Sequence, residues 1–293
     1  MRIVLFGKNG QVGWELQRIL PLLGQVNAFD YEELDIADLK ALETRLDELR
    51  PDLIVNASAY TTVDRAESER DLAMKVNGQA PGVMAEAARK SGALLVHYST
   101  DYVFDGSKGS PYVEEDIPNP LNVYGESKLA GEKAIQQAAD VYIVLRTSWV
   151  YSTRLKSGFV NKVLAWARQN ESLRIVDDQI SCPTWARMLA EMTGLLIARG
   201  GDKLSDYFKT YSGLYHVAGK DSASRFEWAK AILASDPHRE KQVVKRIEPA
   251  LSSDFPTPAA RPKYSVLDCT CFESTFNLRI PNWLESLQLA MET

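Results

Sequence analysis

Apolar positions in the first half of the chain switch repeatedly between the period of a strand and that of a helix. Arg2-Ile-Val-Leu-Phe6 is a short apolar run of strand length. Val12, Leu16, Ile19 and Leu20 then recur at helical spacing until Pro21 and Gly24 close the segment. A second run, Val26-Asn-Ala-Phe-Asp30, ends on a carboxylate, and Leu39, Leu42, Leu46 and Leu49 mark a helix that stops before Pro51. Asp52-Leu-Ile-Val-Asn56 predicts the next strand, roughly Glu69 to Lys90 a long helix, and Leu94-Leu-Val-His-Tyr-Ser-Thr-Asp101 another strand. A helix carrying Tyr124 and a buried strand, Val141-Tyr-Ile-Val-Leu-Arg146, follow. Such alternation predicts α/β architecture, with parallel strands joined by right-handed crossovers.

Beyond Tyr151 the pattern loosens. Helical stretches at Phe159 to Arg168 and Trp185 to Ala198 alternate with short strands at Leu173 to Val176 and Gly213 to Val217, and the loops lengthen. Ser224 and Glu227 have the spacing of a capping box, opening a helix that runs to Ala234. No internal repeat or low-complexity segment interrupts the chain. At 293 residues it suits a dinucleotide-binding domain carrying a smaller second one.

Composition narrows the class. Hydrophobic content of 45% and charged content of 25% are globular averages, and the formal charge of −5 without a basic tail argues against a nucleic-acid surface. No apolar run approaches the roughly 18 residues of a membrane span. The first residues read as a strand rather than a signal peptide, so a soluble, cytoplasmic protein is expected. Cys182, Cys269 and Cys271 are too few for a disulfide framework, and they read as free thiols.

Three segments carry chemistry. Gly7-Lys-Asn-Gly10-Gln-Val-Gly13 lies between the first strand and the first helix, where glycines allow a tight turn and a helix amino terminus holds a pyrophosphate. Asp30, at the end of the second strand, suits a ribose hydroxyl pair. The Leu94 strand breaks into Ser99, Thr100 and Asp101 at its carboxyl end, where ligands of open α/β sheets bind. Tyr124 and Lys128 stand one helical turn apart, the arrangement in which a cation makes a phenol acidic enough for proton transfer.

Together these residues resemble the extended short-chain dehydrogenase/reductase superfamily. Within it, the chain is similar to the dTDP-4-dehydrorhamnose reductase family. The narrower likeness rests on Ala57-Ser-Ala-Tyr-Thr-Thr-Val-Asp-Arg-Ala-Glu67, Ser99-Thr-Asp-Tyr-Val-Phe-Asp-Gly106 and Asn122-Val-Tyr-Gly-Glu-Ser-Lys-Leu-Ala-Gly-Glu132. Arg146-Thr-Ser-Trp-Val-Tyr151 and Pro256-Thr-Pro-Ala-Ala-Arg-Pro262 extend it over nearly the whole chain. The resemblance implies a Rossmann-type doubly wound parallel sheet over 1–150 and a mainly substrate-binding, smaller α/β domain over 151–293, with a strand near 213–217 returned to the main sheet.

It also implies roles. Tyr124 donates a proton to a 4-keto oxygen, Lys128 favours the phenolate and holds the nicotinamide ribose, and Thr100 hydrogen-bonds the substrate oxygen or the phenol. Gly7, Lys8, Gly10, Gln11, Val12 and Gly13, with Asp30, Asp35 and Ile36, are assigned to the cofactor. So are Ala57, Ala59, Tyr60, Thr61 and Tyr98. Thr100, Asp101, Trp149 and Arg261 are assigned to a dTDP-sugar. The cofactor is NADPH or NADH, because Asp30 repels a 2′-phosphate while Lys8 offsets that repulsion, and dual use is expected. Relatives that dimerise through carboxylates and magnesium place Glu15 at a matching position, which leaves a homodimer and Mg2+ open. No metal-ligand constellation is visible in the sequence itself, and His97 and His216 read as packed residues.

Other readings stay open. A 4,6-dehydratase would want Asp-Glu after the catalytic threonine, and here Asp101 is followed by Tyr102. A different nucleotide-sugar 4-ketoreductase, a 4-epimerase with the same triad, and a non-catalytic module resembling the regulatory subunit of methionine adenosyltransferase all remain. The family's usual Thr-Pro-Ala-Arg-Arg-Pro is altered here, with Ala260 in place of the first arginine.

Overall fold

The computed structural model describes residues 1–154 and 158–292. Five strands lie in the first half: β1 (Arg2–Phe6), β2 (Gln25–Phe29), β3 (Leu53–Asn56), β4 (Leu94–Thr100) and β5 (Tyr142–Thr147). With a sixth, Gly213–His216, they form one parallel sheet in the order Gly213–His216, β5, β4, β3, β1, β2. The strand from the second half thus joins the main sheet beside β5.

The strands are near-continuous apolar runs because both faces are covered. Ile3, Leu5, Leu53, Val55, Leu94 and Val96 enter one core cluster, where helix α1 (Gln11–Ile19) contributes Leu16 and the Ala186–Ala198 helix contributes Leu189 and Leu196. Val4, Phe6, Ile54, Leu95 and Val144 point the other way, onto Leu42 and Leu46 of α2 (Leu39–Leu49) and onto Met84 and Ala88. Alternation along each strand therefore sorts neighbours to opposite faces. A third cluster is built from the second half, with Val160, Val163, Ile175, Trp228, Ile232 and Leu287 buried together. Its strand Ser172–Val176 pairs in parallel with Arg246–Ala250.

The elements expected from the sequence lie within a residue or two of those observed, and the Ser224/Glu227 capping box is present at the head of the Arg225–Ala234 helix, whereas the strand Arg246–Ala250 and the helices Thr270–Phe276 and Trp283–Glu292 were not expected. The long helix differs in kind. It is continuous from Arg70 to Ser91 but passes through a π-helical stretch at Met74–Gln79 before resuming at Ala80. Pro81 has no N–H to return to the carbonyl four residues earlier, and a widened turn absorbs that loss. Asn77, inside the stretch, accepts from the Tyr60 N–H at 2.8 Å and donates to the Tyr60 carbonyl and the Ser127 hydroxyl, each at 3.0 Å. One side chain thereby ties the loop after β3 to the Val123–Ala138 helix that carries Tyr124.

Candidate active site

The turn between β1 and α1 is closed by close backbone approach. Gly7 has φ +80°, and a Cβ there would stand 2.7 Å from the Ala57 carbonyl oxygen. A Cβ on Gly13 would stand 1.9 Å from the Gly7 carbonyl oxygen, so the third glycine seats α1 on the turn and does not face the cavity. α1 starts at Gln11 with no acidic residue in its first turn, which leaves its amino terminus suited to an anion.

A cavity of about 580 Å3 opens at the carboxyl ends of β1, β3, β4 and β5. The turn contributes Gly7, Gly10, Gln11 and Val12, the loop after β3 contributes Ala57, Ala59 and Thr61, and β4 contributes Tyr98, Thr100 and Asp101. Tyr124, Lys128 and Trp149 complete it. A smaller hollow of about 210 Å3 continues past Asp30 and Ala59 and holds Asp35, Ile36 and Tyr60, against the apolar Leu34, Leu72 and Val76. The assigned residues are thus brought together, with three exceptions. Gly13 supports the turn from behind. Lys8 lies in neither lining, and its amine pairs with Glu33, a residue the sequence reading passed over. Glu33 also accepts from the Asp30 N–H at 2.9 Å, so Lys8 is already partnered beside Asp30. Arg261 lines a different cavity.

Around the reacting group the electrostatics differ from the simple tyrosine–lysine picture. Burial pushes the Tyr124 phenol well above its ordinary value; the neighbouring Thr100 hydroxyl opposes this, while Asp101 and Tyr102 add to it. Lys128 is only 1% exposed, and burial pulls its amine down to about 8 against a weaker opposing pull from Glu132. Its Nζ donates to the Tyr98 carbonyl at 2.6 Å and lies 3.1 Å from His97 Nε2. The lysine is therefore bound to β4, and the phenol stays protonated, the form a proton donor needs. Both His97 and His216 are buried, as expected of packed residues, but His97 also contacts Lys128.

Asp101 is nearly inaccessible, and burial raises its carboxyl above the usual carboxylate range. Hydroxyls of Ser265 at 2.5 Å, Ser181 at 3.1 Å and Thr100 at 3.1 Å donate to it and oppose that rise. Thr100 also accepts from the Tyr102 N–H at 3.2 Å, which fixes its hydroxyl beside the phenol.

A third cavity, about 960 Å3, lies in the second half of the chain and is lined by Lys162, Arg174, Arg225 and Arg261 with Phe159, Trp166 and Phe255. Arg225 was not found from sequence. Its guanidinium carbon stands 3.7 Å from the centre of the Trp149 ring, at the seam between this cavity and the 580 Å3 one. Burial lowers it to about 10, and Tyr102 and Asp101 pull the other way. A signal existed: Arg225 opens a helix, where the macrodipole disfavours a cation unless an anion is to be met. Trp149, at φ +42°, both lines the 580 Å3 cavity and stacks on Trp228 at 5.5 Å, so it serves core and site together. Arg261 is not a free cation, since it pairs with Asp64 at 2.8 Å and so ties the carboxyl-terminal loop to the short helix Val63–Ala66. Among the described residues no group of three or more His, Cys, Asp or Glu forms a metal site, and Glu15 stands 3.9 Å from Arg18; the magnesium reading finds no support in this chain.

A parallel sheet with a glycine turn at β1, and a threonine, tyrosine and lysine around one cavity at its carboxyl edge, define an extended short-chain dehydrogenase/reductase. The family described as RmlD substrate binding domain matches residues 1–293. A dTDP-4-dehydrorhamnose reductase of Burkholderia thailandensis is 41% identical over 99% of this chain and 98% of its own, and one of Escherichia coli K12 is 38% identical over 97% and 94%. The crystal structure of the Bacillus anthracis dTDP-4-dehydrorhamnose reductase in complex with NADP superposes with a TM-score of 0.89, at 36% identity, over 100% of this chain and 99% of that one. The chain belongs to the dTDP-4-dehydrorhamnose reductase family. A UDP-glucose 4-epimerase from Thermus thermophilus, 20% identical with a TM-score of 0.80 over 100% of this chain and 98% of that one, shares the fold. Among the described residues no helix is long and apolar enough to cross a membrane.

Proposed function

We propose that the protein reduces the 4-keto group of dTDP-4-dehydro-L-rhamnose to dTDP-L-rhamnose with NADPH or NADH, supplying a rhamnose precursor for cell-surface polysaccharide in the cytoplasm. The observation that carries this reading is a half-buried Tyr124, its phenol pushed above its ordinary value, in a cavity lined by the glycine turn, with a second cavity rich in arginine and lysine beside it across the Arg225–Trp149 contact. The residues fit a dinucleotide: Gly7 and Gly10 line the cavity with bare backbone, and its wall carries two buried polar atoms without a partner, Gln11 Oε1 and Thr147 Oγ1. When bound, the nicotinamide supplies the hydride, which no side chain can.

The turn and the amino terminus of α1 hold the pyrophosphate, Asp30 the adenosine ribose, and the hollow at Asp35, Ile36 and Tyr60 the adenine. Lys128 holds the other ribose. Tyr124 gives its proton to the ketone oxygen as the carbon is reduced, and Thr100, fixed by the Tyr102 N–H, orients that oxygen. Asp101 and Trp149 contact the hexose. Arg225, Arg261 and Lys162 meet the diphosphate, and the aromatic rings of the 960 Å3 cavity take the nucleobase. Residues 1–150 act as the dinucleotide domain and 151–293 mainly as the substrate domain.

The test is NAD(P)H oxidation with the dTDP-4-keto-6-deoxy sugar, wild type against Tyr124→Phe. A rate unchanged by the substitution would remove the mechanism.

A further inference from the structure

Beneath the candidate site, a chain of buried hydrogen bonds runs from β3 to Lys128, and its polarity is fixed at one end. The Ser58 backbone N–H can only donate, and it lies 3.1 Å from Asn56 Oδ1, which also accepts from the Ser58 hydroxyl at 2.6 Å. That assigns the oxygen of the Asn56 amide, so its NH2 group faces His97 Nδ1 at 3.0 Å and must donate to it. Nδ1 is then an acceptor, and a neutral imidazole with a bare Nδ1 carries its proton on Nε2. Nε2–H in turn faces Lys128 Nζ at 3.1 Å. An ammonium there would set donor against donor, whereas a neutral amine accepts from Nε2–H and still donates to the Tyr98 carbonyl at 2.6 Å.

The other charges facing the amine do not reverse this. On its own helix stand Tyr124, which burial keeps protonated, and Glu132, whose carboxylate is taken by Arg146 of β5 at 2.7 and 2.9 Å. From β4 come His97 itself and Tyr98, whose hydroxyl bonds Thr193 at 2.7 Å, and from the π-helical stretch the uncharged Asn77 bonds Ser127 of the same helix.

We propose that Asn56 and His97 are positioning residues that favour the neutral amine of Lys128 in the ligand-free protein and bring its two protonation states close together near neutral pH. A lysine so poised exchanges protons at working pH, which an ordinary lysine does not. The catalytic consequence rests on the reductase reading above; the protonation state does not.

Asn56→Asp is the informative variant. It is isosteric, one oxygen keeps both Ser58 donors, and the other demands a proton from Nδ1, which turns Nε2 into an acceptor for the ammonium. In ligand-free protein carrying 13Cε-lysine, with the Lys128 signal assigned by its loss in Lys128→Met, the wild-type titration midpoint is expected at least two pH units below that of the exposed lysines. Asn56→Asp should raise it by one unit or more and carry the alkaline limb of kcat/KM upward with it. A wild-type midpoint within one unit of the exposed lysines, or one unmoved in folded Asn56→Asp, overturns the proposal. Should that variant fail to fold, the 15N spectrum of wild-type His97 decides alone: the Nε2–H tautomer supports the pair, and the Nδ1–H tautomer overturns it. A midpoint that moves while the kcat/KM limb stays put upholds the pair and removes Lys128 from the proton-transfer step.

Discussion

Lys128→Met should make the protein more stable near neutral pH while stopping the reaction. Lys128 is 1% exposed, and its amine falls from 10.5 to about 8 because burial disfavours the charge. At about 1.4 kcal/mol per pH unit, that difference corresponds to roughly 3 kcal/mol of penalty for folding with the lysine charged. The sign follows from the depressed folded-state value. Below about pH 8 both states hold the proton and the full penalty applies; between about 8 and 10.5 the unfolded chain still binds it and the folded one does not, so the penalty fades as pH rises. Methionine keeps the stem and drops the charge, but leaves the Tyr98 carbonyl without its 2.6 Å partner, a loss of about 1–2 kcal/mol. Lys128→Met should therefore be more stable than wild type by about 1–2 kcal/mol at pH 6.5, and this advantage should disappear or reverse by about pH 10.5. Urea unfolding of both proteins at the two pH values measures it, with the change in midpoint difference as the readout. A stability difference that is the same at both would refute the claim that Lys128 carries a burial penalty.

Tyr124→Phe should retain folding and NADPH binding while turnover falls on the order of 10² or more, as for the loss of a positioned proton donor; single-turnover kinetics and a cofactor titration check both halves. Because Glu33 occupies Lys8, Glu33→Gln should free that cation and raise the NADPH/NADH ratio of kcat/KM, with Asp30→Ala acting in the same direction and Lys8→Ala in the opposite one. Three unmoved ratios would place cofactor choice elsewhere. Arg225→Ala should raise KM for the nucleotide sugar about tenfold or more with Kd for NADPH nearly constant, whereas Arg261→Ala should weaken both ligands, because its Asp64 partner sits on the short helix Val63–Ala66 directly after the loop that lines the 580 Å3 cavity. Isothermal titration with each ligand separates the two arginines.

What could be read from sequence was governed by local physics. Strands buried on both faces show as unbroken apolar runs, so β1, β3, β4 and β5 were legible, and so was the return of the chain to hydroxyls and a carboxylate at Thr100 and Asp101. Tyr124 and Lys128 share a helical face, and their spacing carried weight only beside the glycine turn and the hydroxyl-ended Leu94 strand. Their electrostatics were not legible. Spacing put the lysine beside the phenol, while the fold directs its amine to Tyr98 and His97 on a strand far away in sequence. Lys8 was counted as available for a phosphate because Glu33 comes near it only when β1 and β2 pair. Arg225 lies far along the chain from Trp149, and only the packing of the second half against β5 brings them into contact. The π-helical stretch had one local sign, Pro81, inside an otherwise helical pattern.

The central claim is that this site reduces a dTDP-linked 4-keto-6-deoxyhexose. The direct measurement is NAD(P)H oxidation by the purified protein against dTDP-, UDP- and GDP-linked 4-keto-6-deoxy sugars, with the product separated and its configuration at C4 determined. One equivalent of NAD(P)H consumed per dTDP-L-rhamnose formed, with kcat/KM highest for the dTDP-linked 4-dehydro-L-rhamnose, is the predicted result. Tightly bound NAD with C4 inversion and no net NAD(P)H consumption, or faster turnover of a UDP- or GDP-linked sugar, would contradict it.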